Sequence, residues 1–259
     1  MFPTLIEFAG IRLATYGVLV ALGYLAGILW LHARRERMGL GEDEFWNLIY
    51  AVFLGAIIGG KLLYWLVFWK ELFSGELHPI RDFRYGFVFF GGFIGAIVAG
   101  AAFSRRTPGL FRRLLDYFAV AAPIGHAIGR LGCFAAGCCS GRPTGLPWGV
   151  RFVRPDSLVS AGLLGVPLHP TQLYEALANA VIAVYLGRKL PEIERTDSRR
   201  GRLFAAYAAL YAAVRFGIEF LRGDDTRGEW IGLSTSQWIA LVCLTAAAAC
   251  GVRWNRKQI

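Results

Sequence analysis

Long apolar runs alternate with short charged segments along the chain. Seven of the runs approach the length of about 17–25 residues that a helix needs to cross the hydrocarbon of a bilayer. They lie at roughly Leu13–Leu31, Phe45–Trp69, Phe87–Phe103, Leu115–Phe134, Gln172–Leu186, Leu203–Leu221 and Ser234–Val252, the fifth being the shortest. Most connections are short. The exception, at about 135–171, carries Gly, Pro, Trp148 and three Arg without a helical period. A connection of that length is a functional loop or a small folded insert more often than a linker. The pattern predicts an all-α integral membrane protein with seven transmembrane helices. Residues 1–259 would form one polytopic domain with an external elaboration at about 135–171.

Basic residues then orient the spans. Sixteen Lys and Arg fall in the connections on one side, nine on the other and three inside spans. The positive-inside rule places the richer side in the cytoplasm, hence the N-terminus outside and the C-terminus in the cytoplasm. Met1–Gly10 lacks the basic region and small-residue cleavage site of a secretory signal, so the first span is expected to stay as an anchor. Composition agrees with this reading: 56% hydrophobic and 18% charged, with mean hydropathy +0.46. Soluble domains average about 45–50% and about 25%. The net charge of +10 is accounted for by the helix ends, so no nucleic-acid partner is expected.

The three cations inside spans are Lys61, Arg130 and Arg215. Each costs a few kcal/mol unless it is paired or faces a polar cavity, and so marks a candidate site. Arg215, Glu219 and Arg222 fall at helical offsets of four and three on one stripe. That stripe is either an ion pair locking helices or an arginine-rich site for an anion such as a phospholipid phosphate, which guanidinium groups match bidentately. His126 precedes Arg130 by one turn, as a structural group or a general base. Lys61 follows Gly55-xxx-Gly59, a close-packing signature, and either snorkels or lines the site.

Cys243 and Cys250 read as small buried hydrophobes. Cys133, Cys138 and Cys139 cluster at the outer end of the fourth span. A disulfide and a thiolate activated by Arg130 are both open. A metal is not expected, because the spacing lacks a Cys-x2-Cys pair and adjacent cysteines chelate awkwardly.

Several blocks resemble, in order, the prolipoprotein diacylglyceryl transferases of the bacterial inner membrane. They are Thr15-Tyr16-Gly17, Asn47 through Lys61 (where that family usually has Arg), and Gly129-Arg130-Leu131-Gly132 continuing to Gly137 and Gly141. His169-Pro170-Thr171-Gln172-Leu173-Tyr174-Glu175 follows, then Arg215, Glu219, Phe220 and Arg222. The resemblance implies a multi-pass inner-membrane enzyme that moves diacylglyceryl from phosphatidylglycerol to the lipobox cysteine of a prolipoprotein signal peptide, with no cofactor. It further implies that Arg130 and Arg215 hold the phosphate, that Glu219 orients an arginine, and that Tyr16 and Gln172 to Glu175 shape the headgroup pocket. Two departures stand out. Phe90 occupies the place of the family's third-span His, and Cys133, Ala136, Cys138 and Cys139 replace its polar signature residues. His126 or Cys133 would then substitute as the base. The alternatives are a phospholipid-dependent transferase with another acceptor that works through a cysteine thiolate, or a non-catalytic lipid-binding relative.

Overall fold

The computed structural model describes residues 2–8, 11–78, 82, 86–196, 200–223 and 228–256. Seven long helices among them coincide with the seven apolar runs: α1 (Thr15–His32), α2 (Glu42–Val67), α3 (Phe89–Phe103), α4 (Leu110–Ala136), α5 (Thr171–Glu194), α6 (Arg202–Glu219) and α7 (Thr235–Arg256). Three of them, α1, α2 and α4, are long and apolar enough to cross a membrane by length and composition. Their outward surfaces carry Leu22, Leu25 and Leu29 on α1 and Phe53, Leu54 and Ile58 on α2, all exposed. A water-soluble fold buries such side chains, whereas a lipid-facing helix displays them.

The chain forms two compact units, 1–31 with 115–259, and 32–114. In the second unit α2 and α3 meet backbone to backbone. A Cβ on Gly55 would lie 2.6 Å from the Gly95 carbonyl, and one on Gly59 would overlap the Gly91 carbonyl. The expected Gly55-xxx-Gly59 packing is present, matched by Gly91-xxx-Gly95 on the facing helix. Lys61 follows this crossing and is buried at 7% exposure, with Nζ 5.7 Å from the Tyr64 ring centre, so it does not snorkel.

In the first unit α1 crosses α4 at Gly23 and Gly125, where a Cβ on Gly23 would come within 2.5 Å of the Gly125 carbonyl. Helix α6 packs between α5 and α7. Its start is fixed by buried Asp116 on α4, whose carboxylate accepts the backbone N–H of Gly201 at 2.6 Å and of Leu203 at 2.9 Å. Ser234 and Gln237 form a reciprocal cap on α7: Ser234 N–H donates to Gln237 Oε1 at 2.9 Å, and Gln237 N–H to Ser234 Oγ at 3.3 Å.

The long connection folds as a small insert. Strands β1 (Thr4–Phe8) and β2 (Ile11–Ala14) pair before α1, and β3 (Val150–Arg151) pairs antiparallel with β4 (Pro167–Leu168) within the insert. Phe152, Val159 and Leu168 form a core there with Phe134, Val150, Leu163 and Val166 packed against it. An apolar cluster of this kind explains why a segment without helical periodicity is ordered.

Candidate active site

The ends of α4, α5 and α6 nearest the insert bring the polar residues of the first unit together. Arg130 lies six residues before the end of α4, Glu175 four after the start of α5, and Arg215 four before the end of α6. At 1.5 Å per residue these are depths of about 6–9 Å. Glu175 is the centre of the group and only 1% exposed. Its Oε1 lies 2.8 Å from Arg130 Nη2 and 3.4 Å from His126 Nε2, and it accepts the Tyr211 hydroxyl at 2.8 Å. Its Oε2 is 3.8 Å from Arg215 Nη1. An unpartnered carboxylate at this depth would be severely penalised, and two guanidinium groups offset that penalty.

Arg215 is shared. Its Nη2 lies 2.6 Å from Glu219 Oε2, while Glu219 Oε1 accepts the Ser234 hydroxyl at 2.9 Å. The helical stripe therefore runs Tyr211, Arg215, Glu219, and it does not continue to Arg222. Helix α6 stops at Glu219, and the backbone N–H of Arg222 turns back to the Glu219 carbonyl at 3.2 Å. Beyond the helix, Arg222 bridges to Gly141 as an isolated antiparallel pair. This corrects the helical offset read from sequence: the apolar run extends to Leu221, but the helix does not.

The two arginines keep unused donors. Arg130 Nε and Arg215 Nη1 are buried and make no hydrogen bond among the described residues. Such groups take an acceptor where solvent or a ligand supplies one, and Arg113 Nε and Arg202 Nε, outside this group, are in the same state. Gln172 Oε1 and Asn179 Oδ1 are likewise unsatisfied, although Gln172 Nε2 donates to the Cys138 carbonyl at 2.7 Å and Asn179 Nδ2 to the Glu175 carbonyl at 2.8 Å.

The structure brings together Arg130, His126, Glu175, Arg215 and Glu219. Gln172 and Cys133 join them at the edge, with Arg130 Nη1 donating to Cys133 Sγ at 3.8 Å. Tyr16 stands half-exposed at the start of α1, within electrostatic reach of Arg130 and the three cysteines. Lys61 and Phe90 belong to the second unit. At Gly141, which the resemblance makes a candidate substrate-binding residue, the backbone is closely approached: a Cβ there would lie 2.5 Å from His169 Cβ and 2.6 Å from the Leu221 carbonyl. Tyr211 and Ser234 were not read from the sequence. A helical offset of minus four from Arg215 finds the first, and the Ser-x-x-Gln cap finds the second.

Cys133, Cys138 and Cys139 place their sulfur atoms within 4.8 Å of one another. Thr171 Oγ1 donates to the Cys139 carbonyl at 2.8 Å, so the first turn of α5 clasps the cysteine turn through Thr171 and Gln172. Hydrogen bonds from Cys133 and Cys138, and then Arg222, hold the Cys139 thiol below its usual range, while the contacts to Cys133 and Cys139 push Cys138 above it. Cys243 is half-buried, and the Cys250 side chain lies outside the described residues.

The family model for prolipoprotein diacylglyceryl transferase matches residues 3–253. The chain belongs to the prolipoprotein diacylglyceryl transferase family. It is 35% identical over 241 residues to the phosphatidylglycerol–prolipoprotein diacylglyceryl transferase of Clostridium tetani, covering 93% of both chains. It is 33% identical to such a transferase of Clostridium perfringens, over 92% of this chain and 90% of the relative. Against that of Geobacter sulfurreducens it is 33% identical, over 87% and 84%. In this family member the arginine and glutamate group lies on the three helices that carry the blocks around Arg130, His169 to Glu175, and Arg215 to Arg222.

Proposed function

We propose that this chain transfers the diacylglyceryl group of phosphatidylglycerol to the cysteine thiol of a prolipoprotein signal peptide, releasing glycerol phosphate. The thiol sulfur bonds to the glyceryl carbon as the carbon–oxygen bond to phosphate breaks, and the bonding pair leaves on the phosphate oxygen. The names of the relatives support the reaction class, and the observation that carries it to this site is the pair of unused buried donors, Arg130 Nε and Arg215 Nη1. A phosphate diester offers the acceptor oxygens these donors lack, and fixed guanidinium groups stabilise the charge that grows on a leaving phosphate. Glu175 and Glu219 hold the two arginines in place, and Tyr16, Gln172 and Arg222 border the headgroup. Lys61 is the second unit's own candidate for binding lipid. His126, 3.4 Å from Glu175, or Cys133 takes the thiol proton in place of the residue that Phe90 replaces.

The same reading takes all seven long helices as spans of one multi-pass domain in the bacterial inner membrane, with the N-terminus and the insert outside and the C-terminus in the cytoplasm. The basic-residue asymmetry supports that orientation. Complementation of a bacterium depleted of its own transferase tests the reaction, with lipoprotein mass read directly. Thioether lipid with the wild type and none with Arg130→Ala is expected. Membrane-inserted wild type without modified lipoprotein would leave the lipid-binding reading in its place.

A further inference from the structure

The sequence spacing argues against a metal at the three cysteines because neighbouring residues in extended or helical backbone point their side chains apart. The structure removes that objection. Cys139 has a positive φ of 62°, and Gly137 before it has 82°. Left-handed backbone at a non-glycine residue is strained and persists where its surroundings hold it in place, often at functional sites. Here the Thr171 hydroxyl and the Gln172 amide fix the Cys139 and Cys138 carbonyls, and the result is that adjacent thiols meet Cys133 at one point. Zinc–sulfur bonds of about 2.3 Å in a tetrahedral site require sulfur atoms about 3.8 Å apart. The three sulfurs already lie within 4.8 Å of one another, at most about 1 Å beyond that spacing.

We propose that Cys133, Cys138 and Cys139 bind a soft divalent cation of the zinc class and leave its fourth position for the acceptor thiol. Among the described residues no further His, Cys, Asp or Glu joins the group. Three protein ligands with one open position is the pattern of catalytic rather than structural zinc sites. Charge also fits: a dication with three thiolates carries one negative charge and with a fourth thiolate two, while Arg130 donates to Cys133 and a second guanidinium residue, Arg222, is bridged to Gly141 just after the cysteine turn. Such outer hydrogen bonds orient and tune metal ligands. A thiol that coordinates the ion loses its proton to water, and this replaces the proton transfer to His126 or Cys133, the Cys133 sulfur being engaged as a ligand. The resulting thiolate is the species that attacks the glyceryl carbon, with no change of oxidation state at metal or sulfur. The ion thereby supplies what Phe90 cannot.

The inference rests on the transferase reading, and its test separates the two. The full-length chain in detergent, reduced and stripped by chelator, is titrated with Co²⁺. Expected is one ion per chain with near-ultraviolet sulfur-to-cobalt charge transfer, abolished by Cys138→Ser and retained by Cys243→Ser. Arg222→Gln should weaken binding about 10–100-fold. A short peptide with one cysteine should alter the cobalt spectrum, and its serine counterpart should not. A fully reduced chain that takes no cobalt overturns the site, as does isolation with two hydrogens missing and a disulfide whose reduction restores no cobalt binding. An unresponsive spectrum with the thiol peptide overturns the open position. Undiminished lipid transfer by the Cys138→Ser chain overturns the inference and leaves the reaction standing. Cobalt and thiol-peptide binding without lipid transfer does the reverse.

Discussion

Arg130 Nη2 sits 2.8 Å from Glu175 Oε1, joining α4 to α5 across 45 positions of sequence at a carboxylate with 1% exposure. The pair gives the site both its charge balance and its geometry. Glu175→Gln keeps the volume but leaves Arg130 and Arg215 facing a neutral amide. Removing one partner of a buried ion pair costs about 3–5 kcal/mol. A fall of that size in unfolding free energy is expected in detergent, together with loss of diacylglyceryl transfer. A glutamine variant as stable and active as the wild type would mean that Glu175 does not hold the arginines.

Arg130→Lys separates charge from shape. Lysine keeps the positive charge but lacks the planar fork that can hold Glu175 with one edge and offer Nε to a phosphate with another. Transfer should fall by at least about tenfold, a loss of 1.4 kcal/mol or more in transition-state stabilisation. The matching measurement is the rate of thioether formation at fixed phosphatidylglycerol. Equal rates would show that charge suffices.

Parts of this arrangement are legible in the sequence and parts are not, for physical reasons. Each of the seven apolar runs coincides with a long helix, because a run of apolar side chains that long is satisfied only by a continuous helix. Helix α5 nevertheless runs on to Glu194, past the apolar stretch ending at Leu186, because Arg188, Lys189 and Glu192 satisfy a helix that has left the apolar zone. The i, i+4 pair Arg215 with Glu219 is local and so can be read directly. The centrality of Glu175 depends on three helices converging, and nothing in the block His169 to Glu175 announces that. Arg222 misleads because hydrophobicity and helical geometry end at different residues. The meeting of three sulfurs depends on one left-handed φ at Cys139, which residue type does not encode.

Asp116 acts on folding rather than on the site. Its carboxylate receives two backbone N–H groups at the start of α6, and Asp116→Ala would leave both buried and unsatisfied. The expected loss is about 1–3 kcal/mol in stability, with transfer per folded molecule unchanged. Thermal unfolding and activity normalised to folded protein distinguish this from a catalytic defect.

At the α2 and α3 crossing, Gly95→Leu forces a side chain into the Gly55 carbonyl. Overpacking costs about 1–3 kcal/mol even where side chains can shift, and here the obstacle is backbone. Poor membrane accumulation and early unfolding are expected. Gly217→Ala on α6 is the control: nothing lies within 4 Å of the added Cβ, and alanine favours helix over glycine by up to about 1 kcal/mol. If both variants behave alike, close approach at Gly95 is not what holds the crossing.

Orientation decides which compartment the site serves. Arg130, Glu175 and Arg215 lie at the helix ends nearest the insert, so the side that holds residues 137–170 is the side from which a headgroup and an acceptor thiol arrive. We propose from the basic-residue count that this side is outside. A phosphatase active only outside the cytoplasm, fused after Ser160, should be active, and the same reporter after Thr196 should be silent. The insert has its own core of Phe152, Val159 and Leu168, so the first fusion interrupts a folded segment and an impermeant thiol label on a cysteine introduced at exposed Val153 serves as its independent check. Labelling of intact cells at Val153→Cys in a chain otherwise lacking accessible thiols is the expected result. Labelling only after lysis would turn the site toward the cytoplasm and remove it from any acceptor presented outside.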